Sequence, residues 1–263
     1  MDLFENLQLM HKIEGVTTND SEYVFDYTKD DNSDLINMVK YILYKSSIDN
    51  NVYYFGYKFT DSSSREERTK FINFIKGYGE TQIRPKELQR FIDRPLSELN
   101  KSIGLGNIDV IVYPESQKNT LNQSIIKSVT NFMPRNKEYG SYSMIKKIPQ
   151  EITFDYKSFA ADKGGSESQS YIDSIPNIEK IMKNINGLDY FHIAKDVKPK
   201  YRPYIQNYLK PKTEFSENIL EAKNILIVDD INTSGSTLRE VIRIITEINS
   251  KANILIYTLI GKD

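Results

Sequence analysis

The feature that most constrains the fold is the run from Asn224 to Ile245, NILIVDDINTSGSTLREVIRII. Ile225, Leu226, Ile227 and Val228 read as a buried strand, which ends on the adjacent carboxylates of Asp229 and Asp230. A short loop of small residues follows, Thr233, Ser234, Gly235, Ser236 and Thr237, and then helical spacing begins. The first N–H groups of such a helix have no internal partner and its dipole favours negative charge, so the loop suits a phosphate. Gly235 allows close backbone approach, and the hydroxyls add donors without bulk. Two acids would repel a phosphate unless the ligand also carries vicinal hydroxyls, a divalent cation or both. A ribose 5-phosphate meets each half of the pattern. The plain alternative is a carboxylate pair that only caps the helix, and the narrowness of the full pattern disfavours it.

A chain of 263 residues has room for one large domain or for a core with an appendage. With 39% apolar and 27% charged residues it reads as soluble and globular. A formal net charge of -1 gives no global pull toward nucleic acid or an anionic membrane. No apolar run is long enough for a membrane helix, and MDLFENLQLM has no basic start for a signal peptide. Cysteine is absent, which removes disulfides and thiolate zinc sites and fits the cytoplasm.

Two patterns divide the chain. In residues 1–102, Leu35, Met38, Val39, Ile42 and Leu43 recur at helical spacing, so Asp34 to Ser47 reads as an amphipathic helix. Asn51 to Phe59 reads as a strand and Ser64 to Gly77 as a helix capped by Ser64. Arg84 to Ile103 reads as one or two short helices broken at Pro95. This is an α+β accessory segment, and its apolar faces must be buried on the core or on a second subunit, which leaves a homodimer open. Residues 103–263 alternate differently: a strand at Ile108 to Pro114, a helix at Thr120 to Met133, a strand at Ser141 to Ile148, a helix at Ile175 to Ile185, then the opening run and a last strand at Ala252 to Ile260. That alternation predicts an α/β fold, a mostly parallel sheet covered by helices.

ILIVDDINTSGST resembles the phosphoribosyl pyrophosphate signature of the type I phosphoribosyltransferases. The resemblance implies that Asp229 and Asp230 are the catalytic acids, holding the ribose hydroxyls directly or through Mg2+. It implies that Thr233, Ser234, Gly235, Ser236 and Thr237 wrap the 5-phosphate. Asn232 departs from the family, which has an apolar residue there, and predicts a local change in loop packing without loss of the site. An earlier strand and loop, IDVIVYPESQKN, fits the place of the family's pyrophosphate loop, with Ser116, Gln117 and Lys118 as its contacts. The order of parts is most similar to the competence-associated phosphoribosyltransferase-like group. The partners implied are 5-phosphoribosyl 1-pyrophosphate and a base or amine, with no nucleic acid and no membrane.

Other features weigh less. His11 and His192 lie in different regions and suggest neither a dyad nor a metal pair. ADKGGSESQ reads as a loop, and the family's mobile loop makes Lys163 a candidate contact over the reacting centre. In family members that use 6-oxopurines an acid stands three residues beyond the second aspartate; here Thr233 stands there, which disfavours a hypoxanthine–guanine enzyme. Two functions stay open: a transferase that uses phosphoribosyl pyrophosphate, and a non-catalytic relative that senses a phosphorylated ribose. The accessory segment is expected to make no ribose or 5-phosphate contact itself.

Overall fold

A computed structural model describes residues 15–19, 22–26, 36–61, 63–78, 83–115, 120–135, 137, 139–232 and 234–261, the side chains of 15–42 and of Ala194 excepted. The chain opens with β1 (Gly15–Asn19), β2 (Glu22–Asp26), β3 (Ile36–Ile48) and β4 (Asn51–Phe59). Helices α1 (Arg65–Ile75) and α2 (Pro85–Ile103) lead to β5 (Val110–Pro114), α3 (Leu121–Asn131) and β6 (Gly140–Lys146). Short pieces follow: β7 (Thr153–Phe154), α4 (Tyr156–Asp162), α5 (Gln169–Ile172), α6 (Ile175–Asn186) and α7 (Ile193–Asp196). After them come β8 (Ile205–Gln206), β9 (Leu209–Pro211) and α8 (Glu217–Glu221). The last unit is β10 (Asn224–Ile231), α9 (Ser236–Ile248) and β11 (Asn253–Gly261).

Among the described residues the main sheet has nine strands in the order β2, β1, β3, β4, β11, β10, β5, β6, β9. The middle of it, β4, β11, β10, β5 and β6, is parallel, and both margins are antiparallel. Each face of the sheet carries its own apolar layer, and strand alternation assigns residues to them. Ile225 and Ile227 of β10 pack with Leu238, Val241 and Ile245 of α9. Leu226 and Val228 pack with Phe71 and Ile75 of α1, Phe91 and Leu96 of α2 and Ile125 of α3. The chain before residue 102 therefore shares one sheet and both apolar layers with the chain after it.

Two local expectations are corrected. Asp34 to Ser47 is not a helix: Ile36–Ile48 is a strand whose backbone pairs with β1 on one side and β4 on the other, while Asp34 and Leu35 lie outside the described residues. Its apolar spacing satisfies a helical period, but partners distant in sequence decide the outcome. The local signal that was overlooked is the turn. Asp49 and Asn50 adopt positive φ, 49° and 65°, which suits a two-residue hairpin turn. Pro95 also fails to break its helix, and α2 runs through it unbroken. A proline leaves the carbonyl four residues back without its donor. Here that carbonyl belongs to Phe91, and the buried Tyr57 hydroxyl donates to it at 2.9 Å. Pro95 packs directly on Gly56, where an added Cβ would meet the proline ring at 2.5 Å.

The helix expected at Ser64 is found, with a reciprocal cap: Ser64 Oγ accepts from Glu67 N–H, and the Glu67 carboxylate accepts from Ser64 N–H. ADKGGSESQ forms the end of α4 and the turn into α5.

Candidate active site

The strand–loop–helix forms where the sequence places it. β10 runs through Ile231, and Asp229 and Asp230 are both buried. Because neighbours on a strand point to opposite faces, the adjacent acids divide between the two apolar layers. Asp229 follows Ile225 and Ile227 toward α9; Asp230 follows Leu226 and Val228 toward α1. The partners agree with this division. Lys76, the residue that closes α1, pairs its ammonium with Asp230 Oδ2 at 2.8 Å. Lys76 keeps only 19% of its side chain exposed, so solvent screens the pair weakly. This residue belongs to the segment expected to stay clear of the ligand, yet it holds one of the two acids.

Asp229 has no such partner. Its Oδ1 accepts from the backbone N–H of Asp230 at 2.8 Å, and among the described residues no side-chain donor bonds it. Burial, and second the neighbouring Asp230 carboxylate, push its carboxyl well above the usual carboxylate range; the Asp230 N–H and Lys76 pull the other way.

The loop is set by side chain to backbone bonds. Asn232 N–H donates to Ile260 O at 2.9 Å, which continues the ladder one step past the strand. Asn232 Oδ1 accepts from Gly235 N–H at 2.7 Å. The Asn232 side chain thus ties itself to the backbone three residues on, at the N-cap of α9. Gly235 has φ 71°, a left-handed conformation that glycine adopts without strain. Ser234 Oγ and Ser236 Oγ lie 3.0 Å apart. Gly235 is the N-cap of α9, no side chain caps the helix, and no acid stands in its first turn. Arg239 N–H makes the first intrahelical bond, to Gly235 O at 2.8 Å. The N–H groups of Ser236, Thr237 and Leu238 precede it and are the orphan donors of the helix start.

A cation that the sequence reading missed completes this end. Arg239 Nη1 donates to Ser234 O at 3.0 Å, and its Nε lies 3.3 Å from Asp49 Oδ1 in the hairpin turn. Its position one turn into a helix that follows a phosphate-type loop could have flagged it.

The remaining expected residues divide. Thr233, Ser116, Gln117 and Lys118 lie outside the described residues, as does His11. Beside that second loop, Asn122 at the start of α3 is buried and donates from Nδ2 to Pro114 O at 2.9 Å. Lys163 closes α4, with its ammonium 5.6 Å from the centre of the Phe159 ring, and its described partners all lie in that helix. His192 Nδ1 lies 3.0 Å from the Lys146 ammonium.

Two buried acids at a parallel strand end, a small-residue loop and a helix start without a capping side chain define an α/β protein with orphan backbone donors beside a carboxylate. Residues 92–263 match the phosphoribosyl transferase domain, and the chain belongs to that family. No curated protein matches it. Two crystal forms of a hypoxanthine phosphoribosyltransferase from Staphylococcus aureus, orthorhombic and tetragonal, are similar at 13% and 15% identity, each with a TM-score of 0.33. The match covers 66% of this chain and 63% of those chains, so it spans less than two thirds of their length. Among the described residues no helix is long and apolar enough to cross a membrane.

Proposed function

We propose that the chain is a phosphoribosyltransferase that uses 5-phosphoribosyl 1-pyrophosphate with Mg2+ and passes ribose 5-phosphate to a nitrogenous base or amine. The observation that carries this reading is Asp229, a buried acid without a side-chain partner among the described residues, one fixed loop from the uncapped start of α9. Asp229 accepts from the ribose hydroxyls, and Asp230, held by Lys76, is the second acid. Thr233, Ser234, Gly235, Ser236 and Thr237 wrap the 5-phosphate, with Arg239 close by as a counter-charge. Ser116, Gln117 and Lys118 meet the pyrophosphate, and Lys163 covers the site.

In the reaction the acceptor nitrogen forms a bond to the anomeric carbon while the carbon–oxygen bond to pyrophosphate breaks, and the nitrogen gives up a proton. The sugar becomes cation-like, and a fixed carboxylate beside it favours that charge. Asp229 and Asp230 at the end of β10 offer hard oxygen ligands of the kind a divalent cation takes, with substrate oxygens and water to fill the rest of its shell. Mg2+, when bound, supplies charge neutralisation at the leaving pyrophosphate.

Residues 1–102 are an accessory part that acts on the site through Lys76. The cytoplasmic setting, a homodimer and the competence-associated likeness are expectations from the sequence.

The test is pyrophosphate release from phosphoribosyl pyrophosphate with Mg2+ across a panel of bases and amines. Mg2+-dependent release with any acceptor supports the transferase. Binding without release from every acceptor favours a phosphoribose sensor. The Lys76–Asp230 pair favours that second reading, since a fixed cation already sits against one acid. Absence of binding removes both.

A further inference from the structure

Tyr208 is buried, 3% exposed, on the α9 side of the sheet. Everything about it is fixed except its hydroxyl. Its carbonyl accepts from Lys147 N–H at 3.0 Å, and its ring packs against Phe191 with centres 5.9 Å apart. The residue before it, Asn207, adopts φ 59° and donates from Nδ2 to Thr153 Oγ1 at 2.9 Å. Asn207 Oδ1 also accepts from Arg243 Nη2 at 3.0 Å. Arg243 in turn grips the buried Glu240 carboxylate with two bonds, of 2.9 Å and 3.0 Å. α9 thus holds the Asn207–Tyr208 turn from its second and third turns.

Among the described residues the Tyr208 hydroxyl nonetheless has no hydrogen-bond partner of full geometry. Glu240, Asp229 and Arg239 act on it electrostatically, and the Thr237 side chain lies close enough to act as a weak hydrogen-bonding neighbour. Glu240 is already matched by Arg243. Burial and the two carboxylates push the phenol's pKa up, so it stays a neutral O–H donor. An immobilised, buried donor left without an acceptor is costly, and a ligand oxygen brought beside it would relieve that cost. Its neighbours are the acid assigned to the ribose and a hydroxyl assigned to the 5-phosphate.

We infer that the Tyr208 hydroxyl donates to an oxygen at the phosphate end of a phosphorylated ribose held at the start of α9, with Arg243 and Asn207 as positioning residues. The inference rests on the phosphoribose reading of the site and adds a donor from outside the signature loop.

The experiment is calorimetric titration of the full chain with ribose 5-phosphate, for wild type and Tyr208→Phe, with thermal midpoints taken without ligand. Removing an orphan hydroxyl while keeping the ring should leave the ligand-free midpoint at or above wild type. Affinity should fall by about tenfold or more, equivalent to about 1.4 kcal/mol. Unchanged affinity overturns the inference alone and leaves the phosphoribose reading standing. Lost affinity with a fallen ligand-free midpoint also overturns it, because the hydroxyl then served the fold. No binding to wild type overturns both.

Discussion

The two faces of β10 treat their acids differently. On the α1 side Asp230 is closed off by an ion pair with Lys76. On the α9 side Asp229 has one backbone donor and, among the described residues, no side-chain donor, with the buried Tyr208 hydroxyl nearby. One face closes its acid in an ion pair, and the other leaves its acid without a side-chain donor among the described residues. The difference shows that adjacency in sequence does not mean shared duty: a strand sends neighbours to opposite layers, and each layer sets the electrostatics of its own acid.

The largest test of this contrast is Gly235→Val. The backbone stands at φ 71°, and an added Cβ would meet Arg239 Nη1 at 3.1 Å. A β-branched residue there is strained and crowds the loop, so thermal stabilisation by ribose 5-phosphate should vanish. Midpoints with and without ligand check this; a shift equal to wild type would show that this loop does not hold the phosphate.

Next comes Asp230→Asn, which leaves the Lys76 ammonium without its anion. Breaking a buried pair is strongly destabilising, and because Lys76 keeps some water contact the expected cost is about 2–3 kcal/mol. Denaturant unfolding measures it. Adding Lys76→Met should restore most of the loss, and a double mutant no more stable than Asp230→Asn alone would deny the pairing.

Asp229→Asn should move stability the other way, up by about 1 kcal/mol at neutral pH, while ligand binding is lost. The fold raises the carboxyl's pKa, so folded protein binds the proton more tightly than unfolded chain. That contribution is fully present below the ordinary carboxylate pKa of about 4 and is lost as pH rises. The advantage of the asparagine variant should therefore open with rising pH and close in acid. Unfolding curves from acid to neutral pH would show it, and a pH-independent gap would refute the assignment.

The smallest effect lies away from the acids. Tyr57→Phe leaves Phe91 O without its hydroxyl donor beside Pro95 and should cost about 1 kcal/mol. In a Pro95→Ala background the restored N–H can bond Phe91 O, and the same change should cost less. Equal losses in both backgrounds would show that the hydroxyl does not stand in for the missing amide.

Legibility followed the range of the interactions. The signature loop could be read because its determinants are local: an apolar strand, a glycine in the left-handed region and a helix start without a capping side chain. Ser64 announced its helix for the same reason. Ile36–Ile48 misled because its apolar residues suit two periods, and pairing with β1 and β4 chose between them. Pro95 misled because the donor that rescues Phe91 O comes from β4. Tyr208 and Arg239 carried no motif, and they matter only through what the fold sets beside them.

The sequence by itself determined the α/β order of the second part, the carboxylate pair and the helix start without a capping side chain, because short-range sterics and hydrogen bonding specify each within a few residues. Only the tertiary structure decided which acid is neutralised and which stays available. Lys76 is far from Asp230 along the chain, and the two meet because α1 packs on the face of β10 that Asp230 shares with Leu226 and Val228. Charge pairing acts through a few ångströms of space, whatever the separation along the chain.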